Sequence, residues 1–153
     1  MSLDAFMIWF SDWGSAIPVI CLLLTADRKI ITRGIVSILL TYAITSPLKL
    51  IVARPRPFQT GAAQLIGPVP ETSSFPSQHT SFTFTVATTI LLAKRILGWI
   101  ALLAAALVAY SRVYLGVHYW SDVIAGAVIG SLAAYAVERV FSHYEKKGKK
   151  RKK

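Results

Sequence analysis

Uncharged runs divide the chain. Residues 34–48, 80–93, 96–111 and 123–137 contain no Asp, Glu, Lys or Arg, and each is rich in Leu, Ile, Val and Ala with scattered Gly, Ser and Thr. Helices that cross a bilayer have this composition. A hydrocarbon core about 30 Å thick needs about 20 helical residues, so most of these runs must take in flanking polar positions to complete a span. The pattern predicts an all-α, integral-membrane helical bundle of about five transmembrane helices, at residues 3–26, 32–53, 78–93, 96–114 and 120–141. Asp4 and Asp12 interrupt the first segment, and Trp9 and Trp13 mark an interfacial piece ahead of a short span. Six helices result if that segment is split. Arg54-Pro55-Arg56-Pro57 stops the second helix, because proline constrains the residue before it and has no N–H to donate. Residues 54–77 then form a long loop, and a loop of this length in so small a protein is usually functional.

Composition narrows the class. The chain has 153 residues, 54% of them hydrophobic, and a mean hydropathy of +0.54. A soluble bundle of that length could not bury so many uncharged helices, so one membrane domain over residues 1–145 with a basic tail at 146–153 is expected. The net charge of +10 raises the question of nucleic acid, but seven of the seventeen basic residues lie in that tail. No aromatic residues are interleaved among them, so the tail reads as an anchor to anionic headgroups or a disordered end, and no nucleic-acid partner is expected. Cys21 is the single cysteine and excludes an internal disulfide. The first ten residues lack the basic start of a signal peptide, so no cleavage is expected.

Charge also sets an orientation. With five spans, one face holds Arg28, Lys29, Arg33, Lys94, Arg95, Arg139 and the seven tail residues, thirteen in all, and the other holds Lys49, Arg54, Arg56 and Arg112. The positive-inside rule puts the first set, with the C-terminus, in the cytoplasm. The loop 54–77 and the turn around His118 then meet on the extracytoplasmic face of a multi-pass cell-membrane protein.

Three clusters fall at that face: Lys49 with Arg54-Pro55-Arg56-Pro57, then Phe75-Pro76-Ser77-Gln78-His79, then Ser111-Arg112 with His118 and Asp122. Lys49 and Arg112 sit at the ends of apolar helices, where an ionisable group is costly and functional by default. Several cations in one place repel unless an anion joins them, and phosphate suits lysine and the arginine fork. Pro76-Ser77 ahead of a helix leaves free N–H groups that also favour an anion. His118 and Asp122 are four apart and share a face. A carboxylate on one imidazole nitrogen fixes the tautomer and makes the other a better nucleophile, which is the physical reason for choosing His118. His79 can then serve as general acid. Spacing alone does not decide which histidine attacks.

Together these residues resemble the signature of the type 2 phosphatidic acid phosphatase (PAP2) superfamily: a lysine, six residues, Arg-Pro, then Pro-Ser-Gly-His, then Ser-Arg, five residues, His, three residues, Asp. Lys49, Arg56 and Pro57 match the first part, Pro76, Ser77 and His79 the second, and Ser111, Arg112, His118 and Asp122 the third. The resemblance implies a phosphohistidine on His118 oriented by Asp122, with His79 protonating the leaving group. It also implies phosphoryl oxygens held by Lys49, Arg56, Ser77 and Arg112 with a backbone N–H near Gln78, and neither metal nor cofactor. Gln78 departs from the family's glycine; it adds an amide within reach of a second phosphate or the leaving group, so substrate preference is expected to differ. RPRPF, SFPS-x-HT and HY-x-x-DV-x-x-G look most like the bacitracin-resistance type of undecaprenyl-diphosphate phosphatase.

Bland readings compete with these. Snorkelling to headgroups explains Arg54 as a loop anchor, but not all four cations. Ser77 and Ser111 also suit a helix N-cap and an interhelical hydrogen bond. A polyprenyl diphosphate is the expected substrate; phosphatidate or phosphatidylglycerophosphate is the alternative, because the motif reads only the phosphoryl group. A transporter would place its charges near mid-bilayer, and an interaction protein using the basic tail would need none of the three clusters. The sequence does not fix the oligomeric state.

Overall fold

In a computed structural model of the protein, residues 2–93 and 95–150 are described. Lys94 and the tail residues Arg151, Lys152 and Lys153, which the charge count uses, lie outside them. Six α-helices follow in order: α1 (Leu3–Trp13), α2 (Ala16–Leu24), α3 (Arg28–Val52), α4 (Gln78–Ala93), α5 (Arg95–Tyr114) and α6 (Trp120–Lys150). No strand occurs among the described residues. The all-α bundle expected from the sequence is present.

The first predicted segment is two helices, bent by 49° between α1 and α2. Gly14 ends α1 by donating its N–H to Phe10 O, and Pro18 is accommodated in the first turn of α2. Asp27 starts α3 earlier than expected, because its carboxylate accepts the Lys29 N–H at 2.9 Å. At the far end α6 runs nine residues beyond the predicted Phe141. Arg33 of α3 pairs with Glu138 at 2.9 Å and with Glu145 at 3.1 Å, and Lys29 pairs with Glu145 at 3.2 Å, which holds the extra turns against α3.

The helices α3, α5 and α6 are long and apolar enough to cross a membrane, and the bent pair α1–α2 adds a fourth candidate. The remaining helix, α4, has sixteen residues and packs between α3, α5 and α6. Its buried face mixes hydroxyls with apolar groups: Thr80, Ser81, Thr83, Thr85 and Thr89 alternate with Val86, Ala87 and Ile90. Each hydroxyl is satisfied locally, as when Thr85 Oγ1 donates to Ser81 O at 2.7 Å. Many large apolar side chains point outward, with Leu50 81% and Ile51 79% exposed. A surface of that kind is stable in lipid and not in water. The apolar outside supports a protein that sits in the bilayer.

Closest approach comes where α4 crosses α6. A Cβ on Gly126 would stand 2.7 Å from Ser77 O, and one on Gly130 2.2 Å from Ser81 O. This spacing of small residues lets helix backbones touch. Gly130→Ala must therefore push α6 away from α4, at a cost of about 1–3 kcal/mol for overpacking. We expect a lower melting temperature in detergent for that variant, and an unchanged one for Gly148→Ala, where an added Cβ meets nothing within 4 Å.

Candidate active site

The three sequence clusters converge at the end of the bundle opposite the Arg33–Glu138–Glu145 pairs. In the last turn of α3, Lys49 is buried and its Nζ donates to Ser73 O at 2.5 Å, while Ser73 Oγ donates back to Lys49 O at 2.8 Å. Ala53 then turns left-handed and the chain leaves α3. The loop 54–77 is far from structureless. It contains a 3-10 turn (Pro57–Thr60), and its two ends are joined by the Ser74 N–H to Arg54 O bond at 2.8 Å. Its Ile66 N–H reaches Leu115 O at 3.1 Å, joining it to the α5–α6 turn.

Arg56 is 3% exposed and is held on two sides. Its Nε donates to Thr72 O and its Nη1 to Val117 O, each at 2.7 Å. That grip leaves Nη1 3.4 Å from His118 Nε2. His118 itself is presented by the turn after α5. The N–H groups of Val117 and His118 both donate to Arg112 O, at 3.3 and 3.2 Å. Gly116 makes this turn possible, with φ +70° and no room for a Cβ beside Gln64 O.

Asp122 lies in the first turn of α6 and is fully buried. Its Oδ2 accepts the Tyr119 N–H at 2.9 Å and the Ser74 hydroxyl at 2.5 Å. Its Oδ1 accepts from Arg54 Nη1 at 2.9 Å. His118 Nδ1 stands 3.5 Å from Oδ2, too far for a good hydrogen bond, and is buried without another partner among the described residues. Contacts of this kind are often loose in unliganded enzymes and tighten with substrate. Burial pushes the His118 imidazole down to about 4; Asp122 opposes the shift, and Arg112, Arg56 and Lys49 add to it. At neutral pH the ring is uncharged, with a lone pair free on one nitrogen.

Arg112, in the last turn of α5, is buried, and its Nη1 donates to Ser11 Oγ of α1. At the start of α4, the Ser77 N–H is taken by Asp122 O at 3.1 Å, and the first backbone bond of the helix is Ser81 N–H to Ser77 O. The N–H groups of Gln78, His79 and Thr80 precede that bond, which is the arrangement that binds anions at helix starts. His79 is exposed and lines a cleft of about 200 Å³ together with Arg112, Ser11 and Asp12. Gln78 faces away from it, into a cleft of about 480 Å³ shared with Lys49, Tyr42 and Glu71.

Lys49, Arg56, Ser77, Gln78, His79, Arg112, His118 and Asp122 thus occupy one end of the bundle, with Arg56 the cation beside His118. Ser111 stays within its own helix, donating to Val108 O at 2.7 Å, so it makes no bond between helices. Ser77 Oγ accepts the Thr80 hydroxyl at 3.0 Å. Three participants were not anticipated. Arg54 pairs with Asp122, Ser74 bonds the same carboxylate, and Ser11 reaches Arg112 from α1. Arg54 carried a signal, a second arginine in the Arg-Pro repeat; Ser74 and Ser11 carried none.

Among the described residues, no three His, Cys, Asp or Glu side chains gather as a metal site would require. Comparison with known proteins agrees with the fold and the family. The family model described as the PAP2 superfamily matches residues 31–145. Undecaprenyl-diphosphatase of Sulfolobus acidocaldarius is 36% identical over 141 residues, covering 88% of this chain and 68% of that protein. Undecaprenyl-diphosphatase BcrC of Bacillus subtilis is 27% identical over 143 residues, covering 87% and 72% respectively. The crystal structure of Aquifex aeolicus LpxE superposes with a TM-score of 0.78 at 31% identity, covering 90% of this chain and 86% of that one.

Proposed function

The chain belongs to the PAP2 superfamily and is a membrane lipid phosphatase; from that premise we propose that it hydrolyses a polyprenyl diphosphate to the monophosphate through a phosphohistidine on His118. The substrate reading is carried by the likeness, at 36% identity, to an undecaprenyl-diphosphatase. The mechanistic reading is carried by His118, whose Nε2 faces a buried cation while Asp122 lies behind Nδ1.

In this reading the terminal phosphoryl group sits among Lys49, Arg56, Arg112 and the N–H groups that open α4. The lone pair of His118 Nε2 attacks phosphorus, and the bond from phosphorus to the bridging oxygen breaks. His79 gives its proton to that oxygen, and the lipid monophosphate departs. Charge grows on the equatorial oxygens, where preorganised cations stabilise it most. Asp122 stabilises the positive charge that the imidazole gains, through Nδ1–H. A water molecule then gives a proton to His79 and attacks phosphorus, the N–P bond breaks, inorganic phosphate leaves, and His118 is restored. Each proton and bond is returned, so no outside reagent is needed.

The leaving group must lie beside His79. The cleft that His79 lines is walled by Ile8 and Val69 as well as by polar groups, which suits the first carbons of a prenyl chain next to phosphate. Orientation follows the charge count: the site faces outward and the basic end of α6 faces the cytoplasm.

Phosphate release by the purified protein in detergent with EDTA tests this directly. Farnesyl diphosphate or a longer polyprenyl diphosphate should be hydrolysed well ahead of phosphatidate and phosphatidylglycerophosphate, at a rate the chelator leaves unchanged. Preference for a glycerolipid would replace the substrate, and a strict Mg²⁺ requirement would overturn the metal-free mechanism.

A further inference from the structure

Asp122 is surrounded before it ever touches His118. A fully buried carboxylate must be paired or hydrogen-bonded, because leaving water uncompensated costs several kcal/mol. The compensation here does not come from the histidine. Arg54 Nη1 reaches Oδ1 at 2.9 Å and also bonds Ser121 Oγ at 2.7 Å. Ser74 Oγ and the Tyr119 N–H occupy Oδ2. Arg54 is itself braced, with its guanidinium carbon 3.9 Å from the centre of the Tyr119 ring. The Tyr119 hydroxyl shares a 2.8 Å hydrogen bond with Thr60 Oγ1 in the 3-10 turn. A chain of contacts therefore runs from the loop through Tyr119 and Arg54 to the carboxylate.

We infer that Arg54 and Ser74 are positioning residues, which fix the Asp122 carboxylate so that it meets His118 Nδ1 as the imidazole becomes charged. Arg54 differs in this from the neighbouring Arg56, whose guanidinium faces His118 Nε2 on the phosphate side. It sits on the opposite side of the His118–Asp122 pair and contacts the carboxylate rather than the phosphoryl pocket. The inference rests on the reading of His118 as nucleophile and Asp122 as its partner. Positioning groups of this sort change rates by about 10- to 100-fold when removed.

Two properties separate positioning from phosphate binding. A phosphate ligand lost from the site weakens the binding of a phosphate mimic, whereas a lost positioning group lowers turnover and leaves that binding intact. The Arg54 side chain is also 35% exposed, so the space it vacates is open to solvent and a guanidinium ion can enter.

The experiment compares Arg54→Ala, Arg54→Lys, Asp122→Asn and the double variant Arg54→Ala/Asp122→Asn in detergent, reading kcat and inhibition by vanadate. Arg54→Ala should lose about 10- to 100-fold in kcat, keep its vanadate affinity within about twofold, and recover part of the loss with added guanidinium. Arg54→Lys should fall between Arg54→Ala and the wild type. The double variant should be no slower than Asp122→Asn alone. Vanadate binding reports whether each variant still has a folded site, so a misfolded protein is not mistaken for a slow one. Full activity of Arg54→Ala alongside a crippled Asp122→Asn would overturn the role of Arg54 and leave the mechanism standing. Vanadate affinity falling in step with kcat would make Arg54 a phosphate ligand instead. Full activity of Asp122→Asn would sink the histidine–aspartate reading and this inference with it.

Discussion

His118→Ala abolishes phosphate release, by at least about four orders of magnitude, in a protein that still folds; losses of this size follow removal of a covalent nucleophile elsewhere. The prediction separates chemistry from stability for a structural reason. His118 is 3% exposed, and its Nδ1 makes no hydrogen bond among the described residues, so truncation removes a poorly satisfied polar ring. Asp122 keeps Arg54, Ser74 and the Tyr119 N–H, and is not stranded as a buried unpaired charge. Arg56 keeps its bonds to Thr72 O and Val117 O. The melting temperature should therefore stay close to that of the wild type, while vanadate, which would take His118 Nε2 as its apical ligand, should bind more weakly. Residual turnover within about tenfold of the wild type would remove His118 from the nucleophile's place.

His79→Ala has the second largest effect, and its size should depend on the leaving group. General acid catalysis contributes about 10²- to 10⁴-fold when the departing oxygen is strongly basic. Phosphatidate releases an alkoxide and should show the full loss. A polyprenyl diphosphate releases a phosphate monoester, a far weaker base, and should lose less in the first step. A nitrophenyl phosphate needs no proton at all. In the proposed reading His79 also takes a proton from the attacking water, so the variant should give a burst of nitrophenol close to one per chain, followed by slow turnover. Equal losses on all three substrates, with no burst, would contradict both roles. The exposure of His79 on a cleft is consistent with a group that must meet both a leaving group and water.

Much of this site was legible because charge is conspicuous in an apolar chain. Lys49 and Arg112 interrupt long uncharged runs, and His118 and Asp122 sit four apart at a helix start, so both the cluster of cations and the imidazole–carboxylate pair could be read from spacing. The ending of α3 at Arg-Pro and the start of α4 after Pro76-Ser77 followed from backbone chemistry. What stayed hidden depends on tertiary contact. Arg54 finds Asp122 across 68 positions, and Ser11 finds Arg112 across 101, distances over which no local pattern operates. The bend between α1 and α2 turns on Gly14, which composition alone marks only as a weak point. The extension of α6 beyond Phe141 depends on Glu145 finding Arg33 and Lys29 on α3, a pairing that exists only once the bundle has formed. Gln78, expected near the phosphates, faces the cleft beside Lys49 and Tyr42, where its influence falls on the α3 side of the site.

The covalent intermediate is the central claim, and the measurement that tests it most directly is rapid alkaline quenching of the enzyme during turnover of farnesyl diphosphate labelled with ³²P in its terminal phosphate. The account predicts up to one label per chain, stable to base and labile to acid as a phosphoramidate is, on the peptide that contains His118 and absent from His118→Ala. Single-turnover release of phosphate with no labelled protein, or a label on any other residue, would contradict it.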